Sequence, residues 1–235
     1  LQDQARNRLK LLNDMRWAIE NQHFELHFQP IISLASGEIC KAEALIRWNH
    51  PIRGMISPAE FIPLAEESGL IVEIGDWVFR EAASTAQRWR ELFNTELQIS
   101  LNMSPIQFQS ECLDIAEWLA YLQTLGLDAQ LLSIEITEGL LLNASDDVKR
   151  KLLQFRDAGL EVAIDDFGVG YSALSYLRRL DIDLLKIDQS FIQNLDTEDN
   201  DLVLTEAIVS HLGEPLASGK IPGQKTPQSQ TRRGV

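Results

Sequence analysis

Two aspartates stand side by side in residues 161–174, EVAIDDFGVGYSAL, at the end of a run of small apolar residues. Adjacent carboxylates repel each other and are costly to desolvate, so Asp165 and Asp166 ask for a cation. Further polar residues end other apolar runs: Gln29 in FELHFQP, Glu43 and Arg47 in CKAEALIRW, Asn102 in LQISLN, Glu135 in LSIEIT and Lys186 in DLLKID. Three carboxylates and an amide oxygen form an all-oxygen set suited to Mg²⁺ or Mn²⁺. Neighbouring aspartates let one bridge two cations while the other binds the second. Two cations about 3.5 to 4 Å apart would ionise a water and stabilise an in-line displacement at phosphorus. Lys186 could orient that water, and Arg47 could hold a phosphate oxygen. Read alone, Lys186 could equally be an ion-pair partner of Glu135, and each of the others a hydrogen-bonded group in a partly wet core.

The elements that carry these residues decide between the two readings. Short β-rich runs at 24–32, 39–48, 97–103, 131–137, 160–165 and 183–187 alternate with stretches of helical periodicity, which predicts a mostly parallel sheet covered by helices. Residues 5–20 read as an amphipathic lead-in helix. A second helix is bounded by Ser145 as N-cap and Gly159 as stop, with Val148, Leu152 and Phe155 on one face. Within the strands, side chains alternate faces. Leu160, Val162 and Ile164 oppose Ala163 and Asp165; Leu132, Ile134 and Ile136 oppose Ser133, Glu135 and Thr137; Ile99 and Leu101 oppose Ser100 and Asn102. Each strand thus has one apolar face and an opposite face with a polar residue near its C-terminal end. An open sheet covered on both sides would be apolar on both, so the pattern predicts a (β/α) barrel whose mouth collects Gln29, Glu43, Arg47, Asn102, Glu135, Asp165 and Lys186. His27 is read as a structural or core-lining residue, because no second histidine is in phase with it.

Composition narrows the class. The 235 residues are 45% hydrophobic, enough for a sizeable core, and carry a formal net charge of −14. That balance argues against DNA or RNA as a partner. Residues 212–235 nevertheless carry a local +3, leaving −17 on the rest, and are rich in Gly, Pro, Ser and Gln; they read as a disordered tail. Two cysteines, Cys40 and Cys112, lack disulfide or metal spacing, and no apolar run is long enough to span a membrane, so a cytoplasmic setting is expected. The chain begins with Leu1, which reads as a piece of something longer.

An ordered series of motifs then carries a family resemblance: FQPI at 28–31, EALIRW at 43–48, SPAEFIPLAEESG at 57–69, LNMSP at 101–105, IEITE at 134–138, DDFGVGYSAL at 165–174 and LKID at 185–188. From about residue 20 to 210 the chain resembles the EAL domain family, bacterial phosphodiesterases that open cyclic di-GMP to linear pGpG. The resemblance implies a TIM-like α/β barrel with its first strand antiparallel. It also implies a two-metal site in which Glu43, Asn102, Glu135 and Asp165 hold the first Mg²⁺ or Mn²⁺, Asp165 bridges and Asp166 binds the second. Lys186 would assist the water, Glu138 would brace the loop 166–174, and Gln29, Leu45 and Arg47 would contact the dinucleotide. Residues 1–20 would be the segment that joins this domain to an upstream GGDEF or sensor domain; pairing as a homodimer stays open.

After about residue 211 the chain leaves the family pattern. Two further βα units are expected there, with a glutamate for the second metal in a VAEGVE-like stretch and a glutamine near a QGY-like one, and neither stretch is present. The domain is thus read as 21–211 with a non-family tail at 212–235. Taken as the whole mature product, such a chain is expected to be inactive and poorly stable, through a frameshift or assembly error near codon 211. The rival readings are an inactive cyclic di-GMP receptor, a protein-interaction module, and another metal-dependent phosphodiesterase barrel.

Overall fold

A computed structural model describes residues 2–33, 36–142, 145–168 and 182–188. The far part of the expected loop 166–174, the helix-like stretch 201–213 and the tail 212–235 lie outside the described residues. Seven strands form one sheet: β1 (Phe24–Ile32), β2 (Ile39–His50), β3 (Gly54–Ile56), β4 (Gln98–Asn102), β5 (Leu132–Thr137), β6 (Glu161–Phe167) and β7 (Leu184–Ile187). The order is β1-β2-β4-β5-β6-β7, with β3 hairpinned onto β2. β1 runs antiparallel to β2, and every later neighbour is parallel. This is the TIM-like wall that the alternation and the resemblance predict. β3 has no counterpart in that reading, because three residues show no period.

The helices are α1 (Gln2–Glu20), α2 (Pro58–Ser68), α3 (Ile71–Phe93), α4 (Pro105–Gln109), α5 (Ile115–Thr124), α6 (Glu138–Leu142) and α7 (Asp146–Asp157). Their ends follow from local chemistry. Ser145 accepts the Val148 N–H, Asp114 that of Glu117 and Ser104 that of Ile106, each satisfying a donor the helix cannot. Gly69 ends α2 in the left-handed region at φ 79°, where a side chain would be strained. Val148, Leu152 and Phe155 are buried as the periodicity predicts, and Lys151 joins them. Its ammonium donates to the Phe108 and Ser110 carbonyls at 2.9 and 2.7 Å and pairs with Asp147 at 3.1 Å, which satisfies the charge.

Two cores hold the wall. Phe79 of α3, Phe108, Trp118 of α5 and Phe155 of α7 pack on the outward faces of β4, β5 and β6. Phe79 stacks on Trp118 with ring centroids 3.9 Å apart. A second cluster joins Met15 of α1, Phe24, Trp48 and Phe61 of α2. The lead-in helix is therefore part of the folded unit. His50, at the end of β2, holds it there: its Nδ1 accepts the N–H groups of Ile52 and Arg53, and its Nε2 meets Asp14 at 3.2 Å. His27 departs from expectation: its side chain is half exposed and pairs with Glu25 at 3.0 Å, so it lines no core. The cause is the position of β1 at the end of the strand order.

Candidate active site

Strand register brings the polar residues together. Glu43 pairs with Ser100 across β2 and β4, Asn102 with Glu135 across β4 and β5, and Thr137 with Asp165 across β5 and β6. Side chains of one phase share one face, so Glu43, Asn102, Glu135, Asp165 and Lys186 all face the interior. Asn102 Nδ2 donates to Glu43 Oε1 at 2.8 Å. Lys186 Nζ donates to Glu135 Oε2 at 2.6 Å and Glu43 Oε2 at 3.2 Å, and lies 3.2 Å from Asp165 Oδ1. Three carboxylates, from residues up to 143 positions away, thus meet around the Lys186 ammonium, and Asn102 is bonded to one of them. The ion pair with Glu135 that the sequence left open is present, together with two further ones.

The charges do not balance. Burial favours a neutral Lys186 amine, but the hydrogen bond to Glu135 and the charges of Glu135, Asp165 and Glu43 outweigh it and hold the ammonium well above its ordinary value. Burial pushes the Glu135 carboxyl up, against the pull of Lys186, and the charge of Glu43 adds to the rise. One ammonium therefore faces three carboxylates. Among the described residues no three carboxylates close into a metal-ligand group by themselves, since Lys186 Nζ holds the centre they share. In donor type and charge the set fits a hard divalent cation: three carboxylates and an amide around one point, with two negative charges in excess.

Asp166 sits differently from the expected position past the strand end. β6 continues to Phe167, and the ladder to β7 is irregular between Ile164 and Phe167. There Asp166 takes φ 52°, a left-handed backbone that is uncommon outside glycine, asparagine and aspartate. Partial burial pushes its carboxyl up, as do the charges of Asp165 and Asp188 and a hydrogen bond with Asp188, while Lys186 opposes. Asp188 ends the LKID motif at 185–188 and has no part in the sequence reading.

The remaining candidates lie around this centre. Glu138 opens α6, is 4% exposed and accepts the Gly168 N–H at 3.2 Å, joining β5 to the start of the glycine loop. Gln29 is opposite Glu43 in the β1–β2 ladder and its side chain is exposed. Leu45 and Arg47 line a cleft of about 300 Å³ that also reaches Asn102, Glu135 and Asp165. Arg47 Nη1 donates to the Ile46 carbonyl at 2.9 Å. A larger hollow of about 720 Å³ between α1 and α2 touches none of the candidate residues.

Comparison with known proteins identifies the family and the fold. The EAL domain family model matches residues 12–214. A solved structure described as a PaMucR phosphodiesterase in complex with c-di-GMP is 38% identical, covers 86% of this chain and 81% of that one, and superposes with a TM-score of 0.79. The FimX EAL domain of Pseudomonas aeruginosa bound to c-di-GMP, 24% identical with a TM-score of 0.78, shares the fold. Among curated relatives, the cyclic di-GMP phosphodiesterase NbdA of Pseudomonas aeruginosa is 36% identical over 95% of this chain and 28% of its own length. An uncharacterised protein of Sinorhizobium fredii, y4lL, is 41% identical over 88% of this chain and 24% of its own length. The chain thus spans about a quarter to a third of the curated relatives it matches. Family model, relatives and superposed structures agree: this chain belongs to the EAL domain family.

Proposed function

We propose that the chain is the phosphodiesterase domain of a larger cytoplasmic signalling protein, that it hydrolyses cyclic di-GMP to linear pGpG, and that it works with Mg²⁺ or Mn²⁺. One observation carries the reading: Glu43, Glu135 and Asp165 converge on the Lys186 ammonium with Asn102 bound to Glu43. A relative described as a cyclic di-GMP phosphodiesterase and a superposed phosphodiesterase that holds c-di-GMP support the choice of substrate.

Glu43, Asn102, Glu135 and Asp165 would hold one cation, and Asp165 with Asp166 a second. When bound, such cations lower the pKa of a water and neutralise charge on the phosphate. The chain's own groups do the rest. Lys186, kept protonated by its three carboxylates, would stand beside the attacking water and stabilise the developing negative charge. Arg47 and Leu45, on the cleft wall, hold the dinucleotide against the centre. Glu138 fixes the first turn of the glycine loop through Gly168, and so the direction of Asp166 two residues earlier.

The test is turnover. The purified full-length protein that carries this domain should, with Mn²⁺, convert cyclic di-GMP to pGpG, and EDTA should abolish the conversion. Tight binding without turnover in Mg²⁺ or Mn²⁺ would make the domain a receptor, and neither binding nor turnover would overturn the reading.

A further inference from the structure

Below the mouth, each strand turns one more side chain of the same phase toward the interior. Beneath Asn102, Glu135 and Asp165 these are Ser100 of β4, Ser133 of β5 and Ala163 of β6, and all three are buried. Ser133 is occupied at the bottom, where its hydroxyl donates to Glu161 at 3.2 Å. Ala163 has no polar side-chain group, so the layer takes an apolar residue on β6. Ser100 is 2% exposed, and its hydroxyl makes no well-formed hydrogen bond to any described residue. A buried hydroxyl without a partner is held at a cost that an alanine of nearly the same shape would avoid.

Two observations point this hydroxyl at the centre above it. Ser100 is the ladder partner of Glu43 on one side and of Ser133 on the other, which puts Glu135 one step diagonally above it. Burial pushes the Glu135 carboxyl up, and Ser100 is among the groups that oppose the rise by favouring the ionised form. Glu135 is itself short of donors. Its side chain is 2% exposed, and Lys186, which donates to its Oε2 at 2.6 Å, also serves Glu43 and Asp165. An ammonium has three protons, one for each of these carboxylates, so Lys186 has none left for the Glu135 Oε1.

We propose that Ser100 is a positioning residue of the cation centre, whose hydroxyl holds the Glu135 carboxylate in place when that carboxylate binds a divalent cation. The proposal rests on the metal-dependent reading above. A carboxylate that ligates a cation keeps its direction through hydrogen bonds to its remaining lone pairs, and loss of such a partner weakens metal binding by about 10- to 100-fold. Without a cation, Glu135 is turned to Lys186 and its bond to Ser100 stays poorly formed. Ser100 lies a layer below the mouth, so it acts through Glu135 and not on the phosphate or the water.

Titration of the full-length protein with Mn²⁺, read by the paramagnetic resonance of the free ion, tests this. The binding that Glu43→Gln removes is taken as that of the centre. Ser100→Ala should raise the Mn²⁺ dissociation constant of the centre by about tenfold. Ser133→Ala, one strand away in the same layer, should leave it at the wild-type value. Metal-free amide exchange of β4 and β5, followed by mass spectrometry, separates positioning from scaffolding. It should be unchanged in Ser100→Ala and faster in Ser133→Ala, which loses the bond to Glu161. An unchanged constant in Ser100→Ala, an equal rise in Ser133→Ala, or faster metal-free exchange in Ser100→Ala would overturn the proposal and leave the metal-dependent reading standing. A wild type whose Mn²⁺ binding Glu43→Gln does not alter would overturn both.

Discussion

The barrel interior has a lysine at each end, and the two are not equivalent. At the bottom, Lys41 of β2 meets Glu161 of β6 at 2.5 Å, and Ser133 of β5 donates to the same Glu161 oxygen at 3.2 Å. One positive charge meets one negative charge, and a hydroxyl completes the set. At the mouth, two residues further along β2, Lys186 meets Glu43, Glu135 and Asp165 within 3.2 Å. The same strands thus carry a neutral closure at one end and an excess of two negative charges at the other. A balanced internal pair needs nothing more, whereas an unbalanced one is held at a cost that only a further cation removes. Charge balance, and not the mere presence of buried ionic groups, separates the site from the scaffold.

The largest expected effect breaks the symmetry between the ends. Glu43→Gln should lower Mn²⁺-dependent hydrolysis of cyclic di-GMP by more than about 100-fold, beyond what loss of a mere supporting group at a metal site costs. Glu161→Gln should leave turnover per folded molecule near wild type, checked side by side with circular dichroism to count folded protein. Equal losses in both variants would remove the distinction.

Stability sharpens it next. Lys186→Met leaves three carboxylates facing one another, Glu135 among them with a side chain 2% exposed, and should cost about 3 kcal/mol in urea unfolding without metal. Mn²⁺ at about 100 times its dissociation constant should return about 2.7 kcal/mol to that variant. At the bottom, Lys41→Met strands one partly exposed carboxylate and should cost about 2 kcal/mol, and Mn²⁺ bound at the intact mouth should stabilise it only as much as wild type, leaving that difference unchanged. A Mn²⁺ gain in Lys41→Met larger than that of wild type, or no gain with Lys186→Met, would remove the distinction between the two ends.

Much of this was legible in the sequence because it is written locally. Period-2 alternation put Glu43, Asn102, Glu135, Asp165 and Lys186 on one face, and the five strands that carry them lie within about two residues of their expected bounds. The bottom pair was not legible. Lys41 and the position of Glu161 also follow from alternation, but β4 and β5 separate their strands in the sheet, and only closure of the wall makes them neighbours. Asp166 needed a backbone irregularity with φ 52° that no residue type announces.

The smallest expected effect is a pH dependence confined to the mouth, and its sign should depend on metal. Burial raises the Glu135 carboxyl above its ordinary value in the folded chain. A carboxyl with a raised folded pKa contributes stability while it is protonated, below its unfolded value near 4.5, and that contribution is lost as pH rises through the folded value. Without metal, the stability of wild type relative to Glu135→Gln should therefore fall as pH rises above about 4.5. A divalent cation binds only the ionised form and so draws the folded value below the unfolded one; in Mn²⁺ the same difference should rise with pH below about 4.5 and level off above it. Paired urea titrations at several pH values, with and without Mn²⁺, measure both slopes. Equal slopes would mean that Glu135 serves the mouth as Glu161 serves the bottom, as the partner of a lysine and nothing more.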